Sequence, residues 1–170
     1  MASGTRLLSV GGSGIGLGIA ATLFITLDRL LPPIAAATIA DRIGVAALAL
    51  LPGVSVLALM IGVQTLLRFA TGAFDPTAGQ DGPALVRTQR TITNTVEQLA
   101  VFAPAMLALA AAGGPMRGVA ALGIVFAIAR LAFWIGYATY PLARAPGMAA
   151  TGACSAGALG WAVLAWLRLV

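Results

Sequence analysis

The fold class this chain predicts is all-α: an integral membrane bundle of hydrophobic helices. Three observations predict it. Hydrophobic residues make up 60% of the 170 residues and charged residues only 9%, whereas a soluble domain carries about 25% charged residues and needs that polar surface to face water. Five apolar stretches are each long enough to cross the hydrocarbon core, which takes about 20 helical residues. No stretch alternates with period two, so a barrel is not indicated, and helices alone then satisfy their own backbone groups in lipid.

The elements follow in order. The first stretch runs from about Leu7 to Leu27, opens after Arg6 and carries Gly11, Gly12, Gly14, Gly16 and Gly18. The spacings Gly12–Gly16 and Gly14–Gly18 permit close helix packing. A signal peptide fits poorly, because the start is glycine-rich and the polar break comes late. The string Val10 to Gly16 also resembles a phosphate-binding turn, but no alternation of strand and helix follows it, and a lone glycine motif is weak. Pro32-Pro33 closes this segment. The second stretch spans about Ile43 to Phe69. Thr71–Gly82, with Asp75-Pro76 and Gly79, reads as the longest loop. The third stretch runs from about Pro83 to Ala112, with Pro83 at the first helical position after Asp81 or Gly82 as cap, and Gly113-Gly114-Pro115 ends it. The fourth spans about Val119 to Tyr140 and the fifth about Met148 to Leu167, with Pro141 and Ala145-Pro146-Gly147 in the turn between them. Short closing turns make the last three helices antiparallel neighbours. Two segments result, 1–42 with the N-terminal helix and its connection, and 43–170 with the remaining four helices.

The titratable residues narrow the chemistry. All ten basic residues are Arg, there is no His, and five acids leave a net charge of +5. The Arg stand singly between apolar stretches, so no basic run points to nucleic acid. Lacking His and holding one cysteine, Cys154, the chain offers no ligand set for protein-bound zinc, haem or an iron–sulfur cluster, no intrachain disulfide and no Ser-His or Cys-His catalysis. Cys154 lies among small residues and is expected to pack. If all five stretches span, Arg6, Arg68, Arg87, Arg90 and Arg144 fall on one side and Arg29, Arg42, Arg117 and Arg168 on the other. The positive-inside rule then turns the long loop toward the cytoplasm. The Arg, Ala, Gly and Pro usage fits a GC-rich bacterial genome, hence an inner membrane.

The third stretch carries the most informative pattern. Arg87, Arg90, Asn94 and Glu97 are spaced three, four and three apart, which puts them on one helix face. Two Arg in the first turns oppose the helix dipole unless an anion is held there. Glu97 is the only Glu in the chain; a carboxylate facing lipid would cost several kcal/mol, so it must face protein or a wet cavity. Two uses of these charges stand open. One is an internal ion-pair network of Glu97 with Arg90 or Arg87. The other is a pocket for a small zwitterionic or anionic ligand, its carboxylates on Arg and its ammonium on Glu97. The fourth stretch adds Arg130 and Tyr137, seven apart, with Trp134 and Tyr140 suited to an interfacial belt and Arg144 in the turn beyond.

The pattern Arg90-x3-Asn94-x2-Glu97-x4-Phe102, preceded by Arg87, resembles the signature of the MAPEG superfamily, the membrane-associated proteins in eicosanoid and glutathione metabolism. Ala129 to Tyr137 followed by Arg144-Ala145-Pro146 resembles the family's later motif. The likeness covers about Ile43 to Leu167 and leaves the first helix outside a four-helix core. It implies a homotrimer that binds glutathione as co-substrate at the subunit interface, near the cytoplasmic face. By that resemblance Arg90, Asn94 and Glu97 hold the tripeptide, with Arg68 and Arg87 also basic groups of the site. Arg130 and Tyr137 come from the neighbouring subunit, and Arg144 is the catalytic arginine that stabilises the thiolate. The implied activity is that of a microsomal-type glutathione S-transferase, adding the thiolate to a lipophilic small molecule that arrives through the membrane lipids, or reducing a lipid hydroperoxide. Departures from the family pattern are Thr91 and Ile92 after the motif arginine, Gln98 where Tyr is frequent, and Phe133 in place of a Tyr of some members. They leave the anion site and remove polar groups around it, so a non-catalytic lipid-binding or structural member is the alternative. A small transporter would need broken helices or an internal repeat, and none is visible.

Overall fold

The computed structural model describes residues 2–79 and 81–168, with side chains from residue 6 onward; the outermost residues of both sequence segments, 1 and 169–170, lie outside that range. Helix α1 spans Ala2–Leu30, α2 Ile39–Thr71, α3 Pro83–Ala111, α4 Met116–Thr139 and α5 Ala145–Leu167, with a four-residue 3-10 turn, Pro141–Arg144, before α5. All five helices are long and apolar enough to cross a membrane. Among the described residues there is no strand. The protein is therefore an integral membrane helical bundle.

Local chemistry explains the boundaries. Helix α2 starts at Ile39, a turn before the apolar run, because Thr38 and Asp41 form a capping box: the Asp41 amide donates to Thr38 Oγ1 at 3.1 Å and the Thr38 amide to Asp41 Oδ2 at 2.9 Å. It ends at Gly72, whose φ of 69° is the left-handed geometry of a helix stop. Gly82 caps α3 with no side-chain bond, and Pro83 follows at the first helical position. Helix α5 begins at Ala145, where the sequence places it near Met148. Pro146 and Gly147 belong to its first turn, not to the preceding loop. A proline fits there because first-turn amides have no acceptor inside the helix.

Helix α4 is the hub, with 61% of its apolar 18-residue stretch buried against 11–33% for the matching stretches of the other helices. It packs on α2, α3 and α5 and also meets α1. Phe102 and Phe126 stack at 4.2 Å between centroids, surrounded by Met106, Leu109, Val119 and Val125, all buried. Gly123 of α4 lets its backbone approach Ala49 of α2; a side chain there would overlap the Ala49 carbonyl. The extra helix α1 lies along α5 and the flank of α4. Gly12 and Gly16 face this contact, while Gly14 and Gly18 have open space around them. At the far end Arg117 approaches Asp28 at 3.7 Å, both sides well exposed, a pair worth little by itself. Cys154 is buried in α5, as its small neighbours suggest.

Candidate functional site

Two faces of α3 divide its polar residues. Thr88, Thr91 and Thr95 turn inward and are buried, each hydroxyl donating to the carbonyl four residues back, at 2.9, 2.9 and 2.7 Å. These bonds give each hydroxyl proton an acceptor within its own helix. The inward threonine stripe sets the rotation of α3, so Arg90 and Glu97 point away from the core and are exposed, and Arg87 and Asn94 are half-buried.

Arg130 reaches the same face from behind. It is fully buried within the chain, the largest such side chain. Its Nη1 and Nη2 both donate to Asn94 Oδ1 at 3.2 Å, and Nη2 also donates to Thr95 Oγ1 at 2.9 Å. The guanidinium lies 4.1 Å from the Phe133 ring centroid, a cation–π contact. Asn94 Nδ2 in turn donates to Glu97 Oε2 at 3.4 Å. The Asn94 amide thus stands between a buried cation and an exposed carboxylate, its carbonyl toward the first and its amino group toward the second. Among the described residues the ion pairs are Arg68–Asp81 and Arg117–Asp28. The internal network of Glu97 with Arg90 or Arg87 does not form.

At the loop end of the bundle, the start of α3, the end of α4 and the 3-10 turn enclose an open cleft of about 510 Å³. Arg87, Arg90 and Arg144 line it, with Tyr137, Val86 and Asp81. Asp81 does not offset their charge. Its carboxylate is taken by Arg68 in a two-pronged pair, Nη1 to Oδ1 at 3.0 Å and Nη2 to Oδ2 at 2.9 Å, and Arg68 also donates to the Ala73 carbonyl at 2.8 Å. Among the described residues, three arginines therefore face the cleft against no free acid. Arg144 is exposed, its guanidinium 4.9 Å from the ring centroid of buried Tyr137, and Arg87 donates to the Ala138 carbonyl at 3.3 Å. Beside the cleft, an apolar cavity of about 720 Å³ runs between Val63 and Leu67 of α2, Thr88 and Thr91 of α3, and Trp134 and Ile135 of α4. Arg87 borders both spaces.

Of the residues singled out in the sequence, Arg87, Arg90, Tyr137 and Arg144 meet at the cleft. Asn94 and Glu97 continue the same face deeper into the span. Arg130 sits behind Asn94 and Arg68 behind Asp81, neither on the cleft wall. The sequence reading missed Asp81 as the partner of Arg68; the signal was an acid just ahead of a helix start that it does not cap. The Trp134 indole lines the apolar cavity.

The MAPEG family model matches residues 43–164. The chain belongs to the MAPEG family. It is thus a membrane protein of the glutathione- and eicosanoid-metabolism type. A search of curated proteins gave no match. The MAPEG residues begin in α2 and end in α5, so α1 stands outside the matched region.

Proposed function

We propose that this protein is a membrane-bound glutathione-dependent transferase or peroxidase whose site is the cationic cleft, completed by neighbouring copies in a homotrimer. The observation that carries the reading is the set of three cleft arginines left unopposed by the Arg68–Asp81 pair. Glutathione brings two carboxylates, one ammonium and a thiol, so arginines complement its carboxylates and Glu97 its ammonium. Glu97 stands exposed along α3, about 21 Å from its start at roughly 1.5 Å per residue, which is a costly place for a carboxylate facing lipid. A second copy against this face gives it protein and ligand to meet. We place the cleft toward the cytoplasm of a bacterial inner membrane, on the side with more Arg.

Arg144 is assigned the thiolate. A free thiol titrates near 8.5 and is mostly protonated at neutral pH; a guanidinium beside the sulfur favours the anion, which is the nucleophile. The proton goes to solvent through the open cleft. In the transfer reaction the thiolate forms a C–S bond to the lipophilic electrophile, and the displaced electron pair leaves with its leaving group or is protonated. In the peroxidase reaction two glutathiones become the disulfide while the hydroperoxide becomes an alcohol and water. A lipid-binding, non-catalytic role is the second reading, supported by the 720 Å³ apolar cavity.

Thermal unfolding in detergent with and without millimolar glutathione tests the reading. A ligand present at 100 times its Kd stabilises the folded state by about 2.7 kcal/mol, which raises Tm by several degrees. The shift is expected in the parent and lost in Glu97→Gln and Arg90→Ala. No shift in well-folded parent protein sinks the glutathione assignment and favours the lipid-binding role.

A further inference from the structure

Arg144 occupies a short segment held by close approaches at four glycines. Its backbone is the last residue of the 3-10 turn and the cap of α5. On one side Gly136 of α4 approaches so closely that a Cβ there would overlap the Ala143 carbonyl. On the same flank Gly147 sits against the backbone of α4, where a Cβ would overlap Phe133 N and crowd the Ala129 carbonyl at 2.8 Å. A further contact comes from α1. A Cβ on Gly16 would overlap the Pro146 carbonyl and fall 2.6 Å from Pro146 Cα. One turn earlier, a Cβ on Gly12 would lie 3.4 Å from Ala145 Cβ. Residues 143–147 are thus held against both α4 and α1 by close approaches at glycine, with no flexible side chain between them to absorb a shift.

We infer that α1, the helix outside the matched family residues, is a positioning element for Arg144, acting through the contact of Gly16 with Pro146. Pro146 transmits the contact well: its ring fixes φ, and it lies two residues from Arg144 at the start of α5. The arginine head is held separately by the Tyr137 ring. With the backbone fixed at one end and the guanidinium at the other, the side chain keeps one approach to the cleft. The consequence for chemistry rests on the assignment of Arg144 to the thiolate; the positional claim does not.

The test compares Gly16→Ala with Gly18→Ala on the same helix, where a Cβ meets nothing within 4 Å. Amide hydrogen exchange of Tyr140 and Ala143, which donate to Gly136 O and Tyr140 O, reads the position of the turn with no ligand present. Gly16→Ala is expected to speed that exchange about tenfold, with Gly18→Ala at the parent rate and α2–α3 amides unchanged in both. Unchanged exchange in folded Gly16→Ala protein overturns the inference. If Gly16→Ala does not fold, Gly12→Leu, which presses Ala145 more softly, gives the same comparison. The ultraviolet absorption of bound glutathione thiolate against pH then reads the consequence. The inference expects half-ionisation at about tenfold lower proton concentration in Gly16→Ala than in the parent. A parent that shows no thiolate at any pH refutes the glutathione assignment, while the exchange result still decides the role of α1.

Discussion

Arg130 and Glu97 show how differently one charge is treated inside and outside the chain. Among the described residues Arg130 has no carboxylate partner, and its Nε is buried with no acceptor. What holds it are the Asn94 carbonyl, the Thr95 hydroxyl and the Phe133 face. Removing Asn94 therefore strands a buried cation, and loss of a partner to a buried charged group costs about 2–3 kcal/mol. Asn94→Ala is expected to lose that much in reversible unfolding in mixed micelles without any ligand. Glu97→Gln keeps a hydrogen-bonding group at an exposed position and should stay within about 0.5 kcal/mol of the parent while losing the glutathione shift. Equal destabilisation by the two would show that Glu97 is structural. Arg144 gives the pH prediction. A cation beside a thiol lowers its pKa, so Arg144→Ala raises it toward the free value near 8.5. Turnover at pH 7 should fall about tenfold or more, and the deficit should shrink as pH rises through 8.5. A deficit that is the same at pH 7 and pH 9 argues that Arg144 binds the tripeptide and does not act on the sulfur.

At the scale of elements, the start of α3 decides the charge of the cleft. Pro83 opens the helix, Arg87 and Arg90 occupy its first turns, and Asp81 just ahead could have satisfied the helix end. Arg68 of α2 takes Asp81 instead, with both side chains about four-fifths buried at 18% and 20% exposure. Asp81→Asn breaks that pair and releases one more cation beside the cleft. It is expected to tighten glutathione binding two- to fivefold at low salt, an advantage that fades at physiological ionic strength. The stability loss should be about 1 kcal/mol or less, as for a partly exposed pair. Weaker binding at every salt concentration would mean that Arg68 matters by fixing the loop. The boundaries of these elements were largely legible in the sequence, because glycine and proline punctuate apolar runs. The start of α5 was not, since Pro146 reads equally as loop or as first turn until the contact of α1 and α4 with that turn is known. The charged face of α3 was legible from its three-four-three spacing. The destination of Arg130 was not, because spacing along α4 does not say which neighbouring helix the side chain meets. The Arg68–Asp81 pair joins residues 13 apart across a loop, and no periodicity links them.

The whole bundle leaves one face incomplete. Apolar side chains such as Val96 and Val101 are exposed along α3, as befits a surface against lipid or another helix, yet Glu97 stands among them. Its nearest polar contact is Asn94, from its own helix. An ionised carboxylate at the helix centre costs about 2.5–3.5 kcal/mol on insertion scales, and among the described residues of the single chain none gives it a cation. Association through the α3 face removes that cost if a neighbouring copy brings arginine or ligand to it, and it buries Val96 and Val101 at the same time. The proposed trimer predicts a native mass, after subtraction of detergent, of three times the 17.0 kDa chain, measured by native mass spectrometry. It also predicts contact across the interface at α3. Cys154 is buried and is the chain's only cysteine, so a cysteine introduced by Val101→Cys is the sole accessible thiol. Short bifunctional reagents should join Val101→Cys subunits in the membrane before any detergent is added. A monomeric mass together with no cross-linking would leave Glu97 unpartnered and would remove the interface site, whereas a trimeric mass without cross-linking would move the interface to another helix and leave the cleft to act within one chain.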